Sequence, residues 1–153
     1  MPADLDKDIR TAIAGLITTA SESEKVYPFN ALSRDITDWP GLFRDNEGVH
    51  GWVVRRVAVK AERKNTQIDR KTWMYEIWGF YSFRSGKIGD NSDDEFAEIC
   101  DAVYAAIQAS PRLGFDNYVE RHDLLQIYNM TTLDCGEETL HFCQARLAVH
   151  LCC

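Results

Sequence analysis

Between Val49 and Val59 the chain alternates at period two, and this run limits the possible folds more than any other stretch. Val49, Gly51, Val53, Arg55, Val57 and Val59 fall on one side, and His50, Trp52, Val54, Arg56 and Ala58 on the other. Successive side chains of a strand point to opposite faces, so this spacing and its β-branched content predict a long strand. A second strand is predicted from Thr72 to Phe83, where Trp73, Tyr75, Ile77, Tyr81 and Phe83 alternate with Met74, Glu76, Trp78 and Phe80. Apolar side chains on both of its faces imply burial on two sides or contact with another subunit. The intervening Ala61–Lys71 is polar and rich in cations, as the tip of a hairpin reaching into solvent or onto a partner would be.

The rest of the chain supplies what such a hairpin packs against. Leu5, Ile9, Ala12, Ile13, Leu16 and Ile17 recur at helical spacing, and Asp4, Asp6 and Asp8 sit where the positive end of a helix dipole favours carboxylates. A helix from about Asp4 to Thr19 follows. Val26-Tyr27-Pro28-Phe29 fits a short edge strand limited by its proline. Asn30–Gly48 has turn chemistry and little periodicity, so it is expected to be a long structured loop of functional or interfacial use. After the turn-rich link Arg84–Asn91, Ser92 to Glu95 matches a capping box, and Phe96, Ile99, Cys100, Val103 and Ile107 mark the buried face of a second helix ending near Ser110-Pro111. Leu124–Met130 and Leu140–Leu151 read as two closing strands. The order predicts an α+β domain spanning residues 1–153: a mixed, mainly antiparallel sheet with a long β-hairpin and two helices packed on it.

Candidate chemistry is thin. Gly79 and Gly86-Lys87 have the wrong spacing for a phosphate loop, and Ile88 stands where a metal-binding hydroxyl belongs, so Gly79 is better read as relief of crowding or as a bulge in an aromatic strand. Cys135, His141, Cys143, His150, Cys152 and Cys153 are ligand-type residues, with His141 and Cys143 on one strand face. They lack the paired Cys-x-x-Cys turns of a structural zinc site, and half-buried cysteines acting as small hydrophobes is the preferred reading. His122-Asp123 with Cys135 or Ser110 would make a nucleophile and base only if the fold joined them; otherwise they form a surface charge pair at a strand entrance. Asp93-Asp94-Glu95 suits a helix N-terminus, and Glu137-Glu138 a solvated turn. No catalytic residue, cofactor or metal is therefore assigned, and an enzyme is not expected.

Charge narrows the partners. The chain has 153 residues, 17 Lys and Arg against 24 Asp and Glu, and a formal charge of -7. Duplex affinity comes mainly from cations neutralising phosphates, so general nucleic-acid binding is disfavoured. An acidic start without a basic-then-apolar order predicts no secretory signal, 5 irregularly spaced cysteines predict reduced thiols, and a membrane span is not expected. Lys60, Arg63, Lys64, Arg70 and Lys71 form the one basic cluster, and a basic arm on an acidic body is suited to reach an acidic patch on another copy, a merely solvated tip and contact with nucleic acid being the alternatives.

The layout of an N-terminal amphipathic helix, the Tyr27-Pro28-Phe29 segment, a charged-tip hairpin, an Asp-rich helix and a final strand through Gln144–Leu151 resembles the tail terminator (tail completion) proteins of long-tailed bacteriophages. The likeness covers most of the chain and is most marked in Phe96–Val103 and the last strand; the Trp-rich hairpin and cysteine-heavy C-terminus depart from it. It implies a structural virion protein forming a ring, a hexamer in that family, that caps the tail tube, stops its polymerisation and offers a surface to the neck. The implied partners are copies of itself, the tail tube protein and a neck or head-completion protein, with viral DNA passing through the lumen. The implied location is the virion tail, and the host cytoplasm during assembly. The alternatives are a head-tail connector of similar fold, or a small intracellular ligand-binding domain or enzyme using the aromatics Trp73, Tyr75, Trp78 and Phe80.

Overall fold

The computed structural model describes residues 3–32, 35–45, 48–63, 69–82 and 92–152. Two long helices, α1 (Leu5–Ser21) and α3 (Ser92–Gln108), lie on one face of a curled, mostly antiparallel sheet, as the periodicities predict. The sheet contains β1 (Val26–Tyr27), β3 (Gly48–Arg63), β4 (Asp69–Ser82), β7 (Glu138–Leu151) and β5 (Val119–His122) in that order; β2 (Arg44–Asp45) also pairs with β3, and β6 (Gln126–Cys135) with β7. β1 runs parallel to β3 and the other pairings are antiparallel.

The middle of the sheet is β4, hydrogen-bonded to β3 from Asp69 to Tyr81 and to β7 from Lys71 to Ser82. Its two faces are both covered. Trp73, Tyr75 and Ile77 join the core beneath the helices, with Ile9, Ile13 and Ile17 of α1, Phe96, Cys100, Val103 and Ile107 of α3, and Leu147 and Val149 of β7. Phe80 faces the other way, into a second core with Phe43, Val49, Val53, Leu140 and Phe142. The four aromatics grouped as a pocket lining are thereby separated: Trp73 and Tyr75 belong to one core, while Trp78 packs on the other.

The loop expected over Asn30–Gly48 builds that second core. It holds a 3-10 turn (Ile36–Asp38), the four-residue helix α2 (Trp39–Leu42) and β2. Ile36, Trp39 and Leu42 pack on the core, and the Phe43 and Phe80 rings stack 4.8 Å apart. Elements this short carry no periodicity to read.

Three further expectations change. A bulge between Arg56 and Ala58 breaks the alternation: Arg56 pairs with Tyr75, but Ala58 pairs with Met74, so beyond Val57 the predicted faces exchange. β5 was not anticipated, because its four residues lie in a polar stretch, and the strand expected at Leu124–Met130 is instead Gln126–Cys135. The link Arg84–Asn91, and with it Gly86-Lys87, Ile88 and Phe83, lies outside the described residues. At the proposed capping box, Ser92 Oγ meets His141 Nε2 at 2.9 Å and Glu95 accepts from the Tyr81 hydroxyl at 2.8 Å, so both side chains tie α3 to the sheet.

Gly79 does relieve crowding. A Cβ there would lie 2.5 Å from the Trp52 ring, whose side chain is fully buried across the pairing Trp52 to Gly79. Substitution Gly79→Ala forces that ring against α3, and overpacking of this kind costs about 1–3 kcal/mol. The expected result is a lower urea midpoint at unchanged slope, opposite to the small gain that alanine gives at an uncrowded strand glycine.

Candidate interaction surface at the hairpin and the sheet borders

The basic cluster does not form one patch. Cross-strand partners share a face, and Ala61 opposes Lys71 while Glu62 opposes Arg70. Lys60 and Arg70 therefore lie on the face away from the helices, and Arg63 and Lys71 on the helix-bearing face. Lys60 Nζ is 2.9 Å from Glu62 in an exposed pair, worth little by itself. Arg63 and Lys71 are exposed; Lys64 lies outside the described residues. Arg70 is the exception: its guanidinium is largely covered, stands 3.8 Å from Glu120, and has a buried Nε without a hydrogen-bond partner among the described residues. It braces the arm against β5 more than it decorates a tip.

Past Arg55 the outer edge of β3 pairs with no strand among the described residues, since β1 and β2 reach only Trp52–Val53 and Gly48–Val49. Arg56 to Arg63 are all exposed, including Val57 and Val59. At the opposite border β6 pairs with β7 alone, and Tyr128, Met130 and the preceding Leu124 are exposed. Between these borders, the helix-free face holds Glu76, a buried carboxylate that accepts from Tyr128, from Arg146 Nε at 3.1 Å and from Trp78 Nε1 at 3.3 Å. Arg146 also stacks on Tyr128, and Arg55 on Trp78. A groove of about 300 Å³ on this face is bordered by Lys60, Glu62, Arg70, Asp123, Arg146 and His150. The arrangement is a charge-paired surface with a groove in it.

The remaining candidates have structural partners. Cys100, Cys135 and Cys143 are buried, as small hydrophobes would be; contact with Cys143, followed by burial, pushes the Cys100 thiol up, and burial pushes up that of Cys135. Among the described residues no three His, Cys, Asp or Glu side chains are grouped to hold a metal ion. His122 is not a surface charge pair. It is buried, with Nε2 2.9 Å from the carbonyls of Ile107 and Ser110, so it closes the end of α3, where a helix leaves carbonyls unpaired. Asp123 turns instead to His150 Nε2 at 2.8 Å, and neither Ser110 nor Cys135 meets His122 through its side chain. Glu138 pairs with Arg44.

One arrangement escaped the sequence reading. His141 lies between Ser92 Oγ at its Nε2 and Asp93 Oδ1, 3.0 Å from its Nδ1, the atoms a serine nucleophile, its base and an orienting carboxylate would use. Ser92 and His141 are both buried, and the neighbouring cleft of about 450 Å³ is lined by His50, Tyr81, Glu95 and Glu98 and by neither of them. The set anchors the start of α3 to β7. The sequence reading had assigned its members separately, Ser92 and Asp93 to the start of a helix and His141 to a strand face shared with Cys143.

Compared with known proteins, the chain matches no family model and no curated sequence. No helix among the described residues is long and apolar enough to cross a membrane.

In the cleft, His50 accepts from Trp52 Nε1 at 3.2 Å and meets Tyr81 edge to face. Burial holds its ring below the ordinary value of 6.5, against the pull of Asp45. The folded protein thus takes up this proton less readily than the unfolded chain, so the contribution is present above 6.5 and is lost as pH falls through the lowered value. Between about pH 7 and pH 5 the wild type should lose more stability than His50→Gln, measured as the difference in urea midpoints.

Proposed function

We propose that the protein is a structural virion component of the tail-terminator kind, a ring that caps the tail tube, ends its polymerisation and offers the neck its attachment surface. One observation carries this reading: the β3 strand of the long β3–β4 hairpin carries exposed cations and exposed valines, on a chain with excess negative charge. Surfaces of that kind steer and register a partner copy. A ring closes when one head-to-tail contact repeats through a rotation that returns to its start. The ring would stop growth by occlusion, because its far face does not repeat the surface that a tube subunit presents.

The acidic stripe on α3, Asp93, Asp94, Glu98 and Asp101, is exposed and supplies the opposite charge for the arm. Negative charge also disfavours adhesion of DNA passing through a lumen. Charge reversal at Arg63, which is exposed, and Lys64 should weaken assembly by on the order of tenfold while shifting folding stability by less than about 0.5 kcal/mol, the size expected of a surface substitution. Sedimentation and thermal melts read the two effects separately. Electron microscopy of tails assembled with and without the protein tests the function: overlong tails in its absence support it, and tails of unchanged length overturn it.

A further inference from the structure

We propose that copies of this chain join head to tail through the two borders of the sheet, side chains of the β3 edge at Arg55–Glu62, which pairs with no strand among the described residues, meeting the Glu120–Leu124 border of the next copy. The occupant of each border is thus a second copy of the chain. Of the large apolar side chains exposed among the described residues, Leu124 is the most exposed at 68 %, and Val57 and Val59 stand at 42 % and 54 %. Val57 and Leu124 stand at opposite ends of nearly one rung of the sheet, and Val59 lies in the next row, through Trp73 and Val149 to His122. Val57 sits between Arg56, whose row runs through Tyr75 to Leu147, and Ala58, whose row runs through Met74 to Ala148. The Ala148 carbonyl in turn accepts from the amide of Asp123, next to Leu124.

Apolar groups at the two ends of one rung allow a rotation about an axis along the strands, without a rise, to bring one against the other. A contact with no rise closes into a ring, whereas a rise would give a filament. The contact is one of side chains and not an extension of the sheet: β6 lies level with the part of β3 whose edge β1 and β2 hold, and the β5 edge level with Arg55–Arg63 is met by Pro111 and Arg112.

Charge selects this contact over the symmetric one. The β3 edge carries Arg55, Arg56, Lys60 and Arg63 against Glu62, while the other border carries Glu120 and Asp123 against Arg121. Two β3 edges would set cations against cations, which destabilises a strand pair. Cationic edges with bulges also resist indiscriminate pairing, so the contact asks for a complementary border.

This inference rests on the proposed ring only for closure, and cross-linking tests it on the full chain. In a background with Cys152→Ser and Cys153→Ser, Val59→Cys and Leu124→Cys proteins are mixed with a short bis-maleimide. Both sites are exposed, so neither change touches the core. The expected result is several-fold more mixed dimer than either self-pair, and a ladder ending in a closed species for the double variant. Self-pairs equal to the mixed product, or no excess over a Thr11→Cys with Leu124→Cys control, would overturn the contact. If that happens while tails still end at their proper length, the ring closes by another surface. A ladder with no effect on tail length leaves the contact standing and sinks the terminator reading.

Discussion

Pairing of β4 on both edges, combined with burial of both its faces, is the constraint from which the other features follow. Its hydrogen bonds to β3 and β7 run nearly its whole length, so neither neighbour can slip without turning Tyr75 and Ile77 away from the helices and Phe80 away from its own core. A one-residue slip would exchange the two sets, burying Glu76 among aliphatic side chains. The absence of a side chain at Gly79 lets Trp52 cross the strand at this level. Register, core and the position of α3 are thus coupled through one strand.

Covering both faces has a cost in polar groups, and the fold meets it locally. Glu76 is satisfied by Tyr128, Arg146 and Trp78; Tyr75 reaches Asp6 of α1 at 3.0 Å; His122 and His141 tie the two ends of α3 to neighbouring backbone and side chains. Buried polar groups with partners fix orientation, whereas the same groups unpaired would destabilise the fold. Histidines that resemble catalytic residues in the sequence are in this way fasteners between layers. Among the described residues, Arg70, whose buried Nε has no hydrogen-bond partner, is where that economy is incomplete.

With both faces of β4 covered, the sheet leaves side chains exposed along its two borders. β3 continues beyond the reach of β1 and β2, and β6 has no outer neighbour among the described residues. The bulge at Val57 matters here. By exchanging the faces of the distal arm it places Lys60 on the helix-free side and Val59 on the helix-bearing side, and it adds the twist that lifts an edge away from indiscriminate pairing. Assembly through such borders is the reading that makes use of an arm, an acidic body and a charge-paired outer face together.

What the sequence determined by itself is whatever depends on short-range periodicity: the helices at Leu5–Ser21 and Ser92–Gln108, the two hairpin strands and the last strand, and with them an α+β sheet carrying helices on one side. Spacing of apolar residues dictates which face an element buries, and that information is local. The tertiary structure alone decided the rest. A single bulge at Val57 reassigned the distal faces of β3, contacts between distant residues made short elements of the Asn30–Gly48 loop, and the basic residues that are neighbours in the chain were divided between two faces and a buried brace. These outcomes turn on which strands lie side by side, and hydrogen-bond partners dozens of residues apart leave no period in the chain for a reader to find.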